Sequence, residues 1–148
     1  MKALVSNKRV RFDFELLDEY EAGLDLIGHE VKSIRAGKAT LDGAHIIVRG
    51  AEAYLVGATI APFQPANVIK DYDPERPRRL LLSQKEIAAL EHSGEQRGLT
   101  IVPIMMYNKG RNIKLALATA RGKKKTDKRE SIKARDTKRD IERTLKNQ

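Results

Sequence analysis

The chain has 148 residues, 41% of them hydrophobic, which suits one core plus a short appendage. It has no cysteine, so disulfides and thiolate metal sites are excluded, and it carries a net charge of +9. That charge is uneven: residues 121–148 hold 12 Lys/Arg against 5 Asp/Glu, whereas residues 1–120 hold 17 and 15. A nearly balanced body with a strongly basic end points to a polyanionic partner, nucleic acid ahead of a membrane surface.

Near the start, only Ala3, Leu4 and Val5 run apolar before charge returns, too few for a signal-peptide core. No other apolar run is long enough to span a bilayer, so a soluble cytoplasmic protein is expected. Residues 20–26 alternate apolar and polar side chains as a half-buried strand does. Val31 and Ile34, three apart and followed by Arg35 and Gly37, read as a short helix with glycine just past its end. Residues 44–49 and 53–60 predict two strands joined by a hairpin at Arg49-Gly50-Ala51-Glu52.

From Pro62 to Pro77 lie four of the five prolines, which predicts a long loop. Residues 78–82 form the next expected strand. It runs into Ser83-Gln84-Lys85-Glu86, a capping box that opens a helix, with Leu82 and Ile87 spaced as a hydrophobic staple and Gly94 and Gly98 as terminators. Leu99–Tyr107 and Ile113–Ala118 complete six strands around a turn at Asn108-Lys109-Gly110-Arg111. Six strands, two short helices and no room for parallel crossovers predict a small closed antiparallel barrel over residues 1–120, with a basic tail over 121–148.

In the tail, Asp127-Lys128-Arg129-Glu130 offers a helix start, and neither Gly nor Pro interrupts 127–148. Its large apolar residues, however, are Ile132, Ile141 and Leu145, and Ile132 falls on the opposite side from the other two. With no apolar stripe to dock, the tail is expected to be disordered when free. By contrast Lys128, Arg135, Arg139, Arg143 and Lys146 fall within about 80° of one another on a helical wheel. A phosphate backbone would relieve their repulsion, so the helix is expected to form on nucleic acid.

The body shows no catalytic motif: no nucleophile elbow, P-loop or zinc-protease helix, and no metal-ligand spacing among His29, His45 and His92. Neither a cofactor nor a metal is expected. Asp71, Asp73 and Glu75 could serve a nuclease, but beside Arg76, Arg78 and Arg79 they are expected to form a solvated ion-pair cluster. A binding protein is the reading that remains.

Several stretches together resemble the SmpB family, the protein partners of transfer-messenger RNA (tmRNA). They are Asn7-Lys8-Arg9, Tyr20-Glu21-Ala22-Gly23, the run from Gly28 to Gly37, the run from Asp73 to Leu82, Gly122-Lys123-Lys124 and Asp127-Lys128-Arg129. The resemblance implies a barrel of the oligonucleotide/oligosaccharide-binding (OB) type and a non-enzymatic role. It implies binding to the tRNA-like domain of tmRNA and rescue of stalled ribosomes, with the tail entering the decoding region and empty message channel of the small subunit. It also implies indirect partnership, through tmRNA, with elongation factor Tu and alanyl-tRNA synthetase; a monomer is expected. A structural rRNA-binding protein with a basic extension is the alternative.

Carried over by position, Glu21, Leu81 and Lys114 match residues with which the family binds tmRNA; Glu30, Lys32, Ser33 and Arg35, from the densest motif, are expected to bind it too, while Val31, Ile34 and Gly37 of that motif serve the core and the turn. In the tail, Lys123, Lys124, Lys128, Arg129, Arg135, Arg139, Arg143 and Lys146 are expected on ribosomal phosphates, with Asp127 as cap or orienting partner. Thr126 and Thr137 stand where the family often has rings, and Arg11-Phe12-Asp13-Phe14 replaces a more usual His/Tyr version. Charge rather than stacking is therefore expected to carry the tail's contact.

Overall fold

A computed structural model describes residues 2–63 and 71–123. In chain order the elements are β1 (Ala3–Ser6), α1 (Val10–Asp13), β2 (Phe14–Leu24), α2 (Gly28–Arg35), β3 (Ala39–Thr40), β4 (His45–Arg49), β5 (Glu52–Val56), β6 (Thr59–Ile60), β7 (Arg78–Leu81), α3 (Gln84–Glu95), β8 (Leu99–Lys109) and β9 (Asn112–Gly122). Seven strands make one antiparallel sheet in the order β1-β8-β9-β2-β7-β5-β4, and β3 pairs with β6. The sheet curls until its edge strand β4 comes back beside β8, and α3 packs against both. The mainly antiparallel barrel expected from the sequence is thus present, with β1 and β3 added to the six expected strands and one of the six divided into β5 and β6.

The core follows strand periodicity. Ile113, Leu115 and Leu117 of β9 point inward, as do Ala53 and Leu55 of β5, and they meet Ile34 of α2 and Leu90 of α3. A second small cluster joins Val10 of α1 to Val102, Ala120, Phe14 and Leu16. This explains α1, a single turn that the sequence pattern did not announce: Val10 covers the end of the long β2–β9–β8 ribbon.

Local chemistry sets the boundaries. Ser83 accepts a hydrogen bond from the Glu86 N–H at 3.2 Å and Glu86 reaches back to the Ser83 N–H, also at 3.2 Å, so the expected capping box starts α3. Gly94 lies inside that helix rather than ending it, and the left-handed residue beyond the end is Gly98 (φ +83°). The expected strand 53–60 is two strands, broken at Gly57 (φ +79°), where a Cβ would sit 3.3 Å from the Gly43 carbonyl oxygen. Gly37 takes the left-handed position after α2, as expected (φ +75°). Strand β9 continues to Gly122, and the Lys123 N–H donates to the Asp13 carbonyl at 2.9 Å.

Candidate nucleic-acid interface

Strand register brings four residues into one row across the sheet: Tyr107 on β8, Lys114 on β9, Gly23 on β2 and Leu81 on β7. Side chains directly opposite each other on antiparallel strands share a face. Gly23 contributes no side chain to this row, and Leu81 folds over the space it leaves. A Cβ on Gly23 would lie 3.1 Å from the Leu81 Cβ and 3.3 Å from its Cδ1. Leu81 is nonetheless 49% exposed, an apolar surface with sheet beneath it and solvent above.

Glu21 lies two residues before Gly23 on β2 and therefore on the same face. Its Oε1 accepts from Lys109 Nζ at 2.8 Å, and its other oxygen accepts from the Tyr107 hydroxyl. The hydrogen bonds from Lys109 and Tyr107 hold the Glu21 carboxyl below the usual range, and Lys109 and Lys114 add their charges in the same direction. Tyr107 responds oppositely: burial and the bond to Glu21 push its hydroxyl up to about 12. Beyond Leu81, Arg79 Nη1 lies 3.4 Å from Glu52 Oε1 and its Nε 4.0 Å from Asp25 Oδ2. The surface so formed is an exposed leucine flanked by partly neutralised charges of both signs. Glu21, Leu81 and Lys114, far apart in sequence, are brought together on it.

The expected residues on α2 divide. Glu30 and Ser33 are completely buried. Ser33 Oγ donates to the Ala61 carbonyl at 2.6 Å and so ties α2 to the chain leaving β6. Glu30 Oε2 accepts from Arg78 Nη2 at 2.6 Å, from Arg78 Nε at 3.0 Å and from the Tyr72 hydroxyl at 2.9 Å. Its Oε1 accepts from the Ile27 N–H at 2.9 Å and from Arg76 Nη2. Burial alone would raise this carboxyl, but the bonds from Arg76, the Ile27 N–H and Arg78 outweigh it and hold it at about 2. These two side chains act on the interior, and as placed they cannot touch an RNA. Lys32 is exposed. Arg35, also exposed, donates from Nη2 to the Arg111 carbonyl at 2.8 Å and from Nε to Asn108 Oδ1 at 3.3 Å.

The ion-pair cluster expected around Asp71, Asp73 and Glu75 does not form. Arg76 and Arg78 turn inward to Glu30, and Arg79 faces Asp25 and Glu52. Asp73 Oδ1 instead accepts from the Glu75 N–H at 2.9 Å, closing a local turn. Among the described residues no group of three His, Cys, Asp or Glu side chains is placed to hold a metal ion. Arg78 is enclosed because its guanidinium also finds the carbonyls of Ala58 at 3.1 Å and Pro74 at 2.9 Å, leaving little of its donor capacity unmet. Of the expected tail residues, Lys123 is described; Lys124, Asp127, Lys128, Arg129, Arg135, Arg139, Arg143 and Lys146 lie outside the described residues, and with them the expected tail helix.

The sequence reading missed Tyr107 and Lys109. Their tie to Glu21 depends on how far the β8–β9 hairpin extends, which no local signal announces. It also missed that the two densest motif stretches, Gly28–Gly37 and Asp73–Leu82, meet each other through Glu30, Arg76 and Arg78.

The chain matches the profile of the family described as "SmpB protein" over residues 4–147. It belongs to the SmpB family. Among its relatives, the SsrA-binding protein of Synechococcus sp. (strain JA-3-3Ab) is 50% identical over 147 residues, 99% of this chain and 95% of the relative. The SsrA-binding protein of Gloeobacter violaceus (strain ATCC 29082 / PCC 7421) is 48% identical over 145 residues, 98% of this chain and 95% of the relative. A chain of the solved structure described as "tmRNA-SmpB: a journey to the center of the bacterial ribosome" superposes with a TM-score of 0.69 at 41% identity, covering 86% of this chain and 92% of that one. The SmpB match spans both the sheet face around Leu81 and the buried Glu30 network. Among the described residues no helix is long and apolar enough to cross a membrane.

Proposed function

We propose that this protein is a tmRNA-binding adaptor of trans-translation. It binds the tRNA-like domain of tmRNA and brings it to ribosomes stalled on broken messages. The supporting observation is the row Tyr107–Lys114–Gly23–Leu81 in a member of the SmpB family: an exposed leucine on a sheet face, bordered by Lys114 and the Glu21–Lys109 pair. An unstacked base can rest on such a leucine while neighbouring cations meet the backbone. Lys32, exposed on α2, offers a further cation to the RNA backbone. The basic tail, with Lys123, Lys124, Lys128, Arg129, Arg135, Arg139, Arg143 and Lys146, meets ribosomal RNA in the decoding region and vacant message channel, where Lys128, Arg135, Arg139, Arg143 and Lys146 line one side of a helix capped by Asp127. The protein acts as a cytoplasmic monomer without cofactor or chemistry of its own, and reaches elongation factor Tu and alanyl-tRNA synthetase only through tmRNA.

Removing residues 122–148 tests the division of labour. Affinity for the tRNA-like domain should stay within a few-fold of the full chain, while tagging of stalled products is lost. Collapse of that affinity would move the binding site into the tail. Stoichiometric recovery with every ribosome, stalled or not, would make this a structural rRNA-binding protein instead.

A further inference from the structure

Arg35 stands on the last turn of α2, a helix locked to the barrel by the Glu30 network and by the Ser33–Ala61 bond. Its guanidinium reaches across to the tip of the β8–β9 hairpin, 73 residues away at Asn108 and 76 away at Arg111. That tip is the tight turn Lys109-Gly110-Arg111-Asn112, with Gly110 at φ +63° and all four residues exposed. Lys109, at its start, carries the ammonium that lies 2.8 Å from Glu21 Oε1. The guanidinium thus joins a fixed post to an exposed loop, and that loop decides where the partner of Glu21 sits.

Resting on the function proposed above, we infer that Arg35 is a positioning residue for the RNA-facing sheet: by clamping the hairpin tip to α2 it keeps Lys109 on Glu21. The consequence for RNA is electrostatic. An uncompensated carboxylate beside Leu81 and Lys114 would repel an approaching phosphate and undo part of the attraction from Lys114. Lys109 removes that repulsion, and Arg35 keeps Lys109 there. Arg35 commits Nη2 and Nε to the hairpin, at Arg111 and Asn108.

The full chain and the variants Arg35→Ala, Arg35→Lys, Asn108→Ala, Lys109→Ala and Arg35→Ala/Lys109→Ala are titrated with the tRNA-like domain of tmRNA over a range of salt. Arg35→Ala should weaken binding about three- to tenfold, and the double variant should bind no more weakly than Lys109→Ala alone. Asn108→Ala, which removes no charge, should shift affinity in the same direction as Arg35→Ala, while Arg35→Lys should recover part of the loss. Additive losses, together with a salt slope reduced by about 0.9 on losing Arg35, would show a direct phosphate contact and overturn the inference. A readout without RNA separates this from the function itself: the Glu21 side-chain carboxyl, titrated by NMR in the free protein, should rise in Lys109→Ala and part of the way in Arg35→Ala. No movement in Arg35→Ala would overturn the positioning role. Failure of the unmodified chain to bind the tRNA-like domain would overturn the proposed function, and the carboxyl titration would still decide what Arg35 does.

Discussion

Arg78 Nη2 lies 2.6 Å from Glu30 Oε2, and both side chains are completely enclosed although 48 residues separate them. The pair fixes α2 against β7, and β7 carries Leu81 onto the opposite, exposed face two side chains away from Arg79. Breaking the pair from one side should therefore loosen both the helix and the strand. Glu30→Gln or Arg78→Met should each cost about 3–5 kcal/mol in urea unfolding, because the first leaves the buried Arg78 without a counter-charge and the second leaves the buried Glu30 with Arg76 as its remaining cation. Glu30→Met with Arg78→Met should cost less than Glu30→Met and Arg78→Met measured singly and added, since neither member of the pair is then stranded.

Acid should expose the same pair. Glu30 titrates at about 2 in the folded protein, below the ordinary carboxylate value of 4.5. A depressed folded pKa means that the unfolded chain binds the proton more readily. Its contribution is thus fully present above about pH 5 and is lost as pH falls toward 2. Stability measured from pH 6 down to pH 2.5 should decline by a few kcal/mol more in the unmodified protein than in Glu30→Gln. Equal slopes for the two would remove Glu30 as the cause.

The space over Gly23 is the most specific feature of the exposed face. In Gly23→Ala the new methyl would press on Leu81 at 3.1 Å, so Leu81 must tilt away. The strand itself should tolerate alanine, because φ at Gly23 is not in the left-handed region. Thermal unfolding should shift by no more than about 1 kcal/mol, while affinity for the tRNA-like domain falls roughly five- to twentyfold, within the range for losing one stacked base. Unchanged affinity would mean that no base rests on Leu81.

Ala51 offers a test of backbone strain. It occupies the second central position of the β4–β5 hairpin at φ +62°, after Gly50 at φ +59°. Positive φ at both positions matches the twist of the strands, but alanine adopts it at a cost of about 1–2 kcal/mol. Ala51→Gly should stabilise the protein by roughly 0.5–1 kcal/mol after allowing for the greater freedom of glycine in the unfolded chain. A destabilised Ala51→Gly in urea titration would contradict the turn geometry.

Much of this protein is written locally. The alternation through Tyr20–Leu24 and Ile113–Leu117, the Ser83–Glu86 box and the left-handed Gly37 depend on neighbours a few residues away, so each is legible in the sequence alone. The uneven charge that points to a polyanion is equally a property of composition. Other features depend on which strand lies beside which. Whether an arginine in Arg76-Pro77-Arg78-Arg79 faces solvent or the interior turns on a carboxylate 46 to 48 residues earlier, so sequence neighbours suggested the wrong partners. The division of α2 into buried Glu30 and Ser33 and exposed Lys32 and Arg35 also follows from what the helix packs on. The sequence by itself determined the types of the longer elements and the class of partner, because propensity, capping and net charge are local or additive. Only the tertiary structure decided that Glu21, Leu81, Lys114 and Lys109 share one face, because register between strands distant in sequence sets which side chains are neighbours.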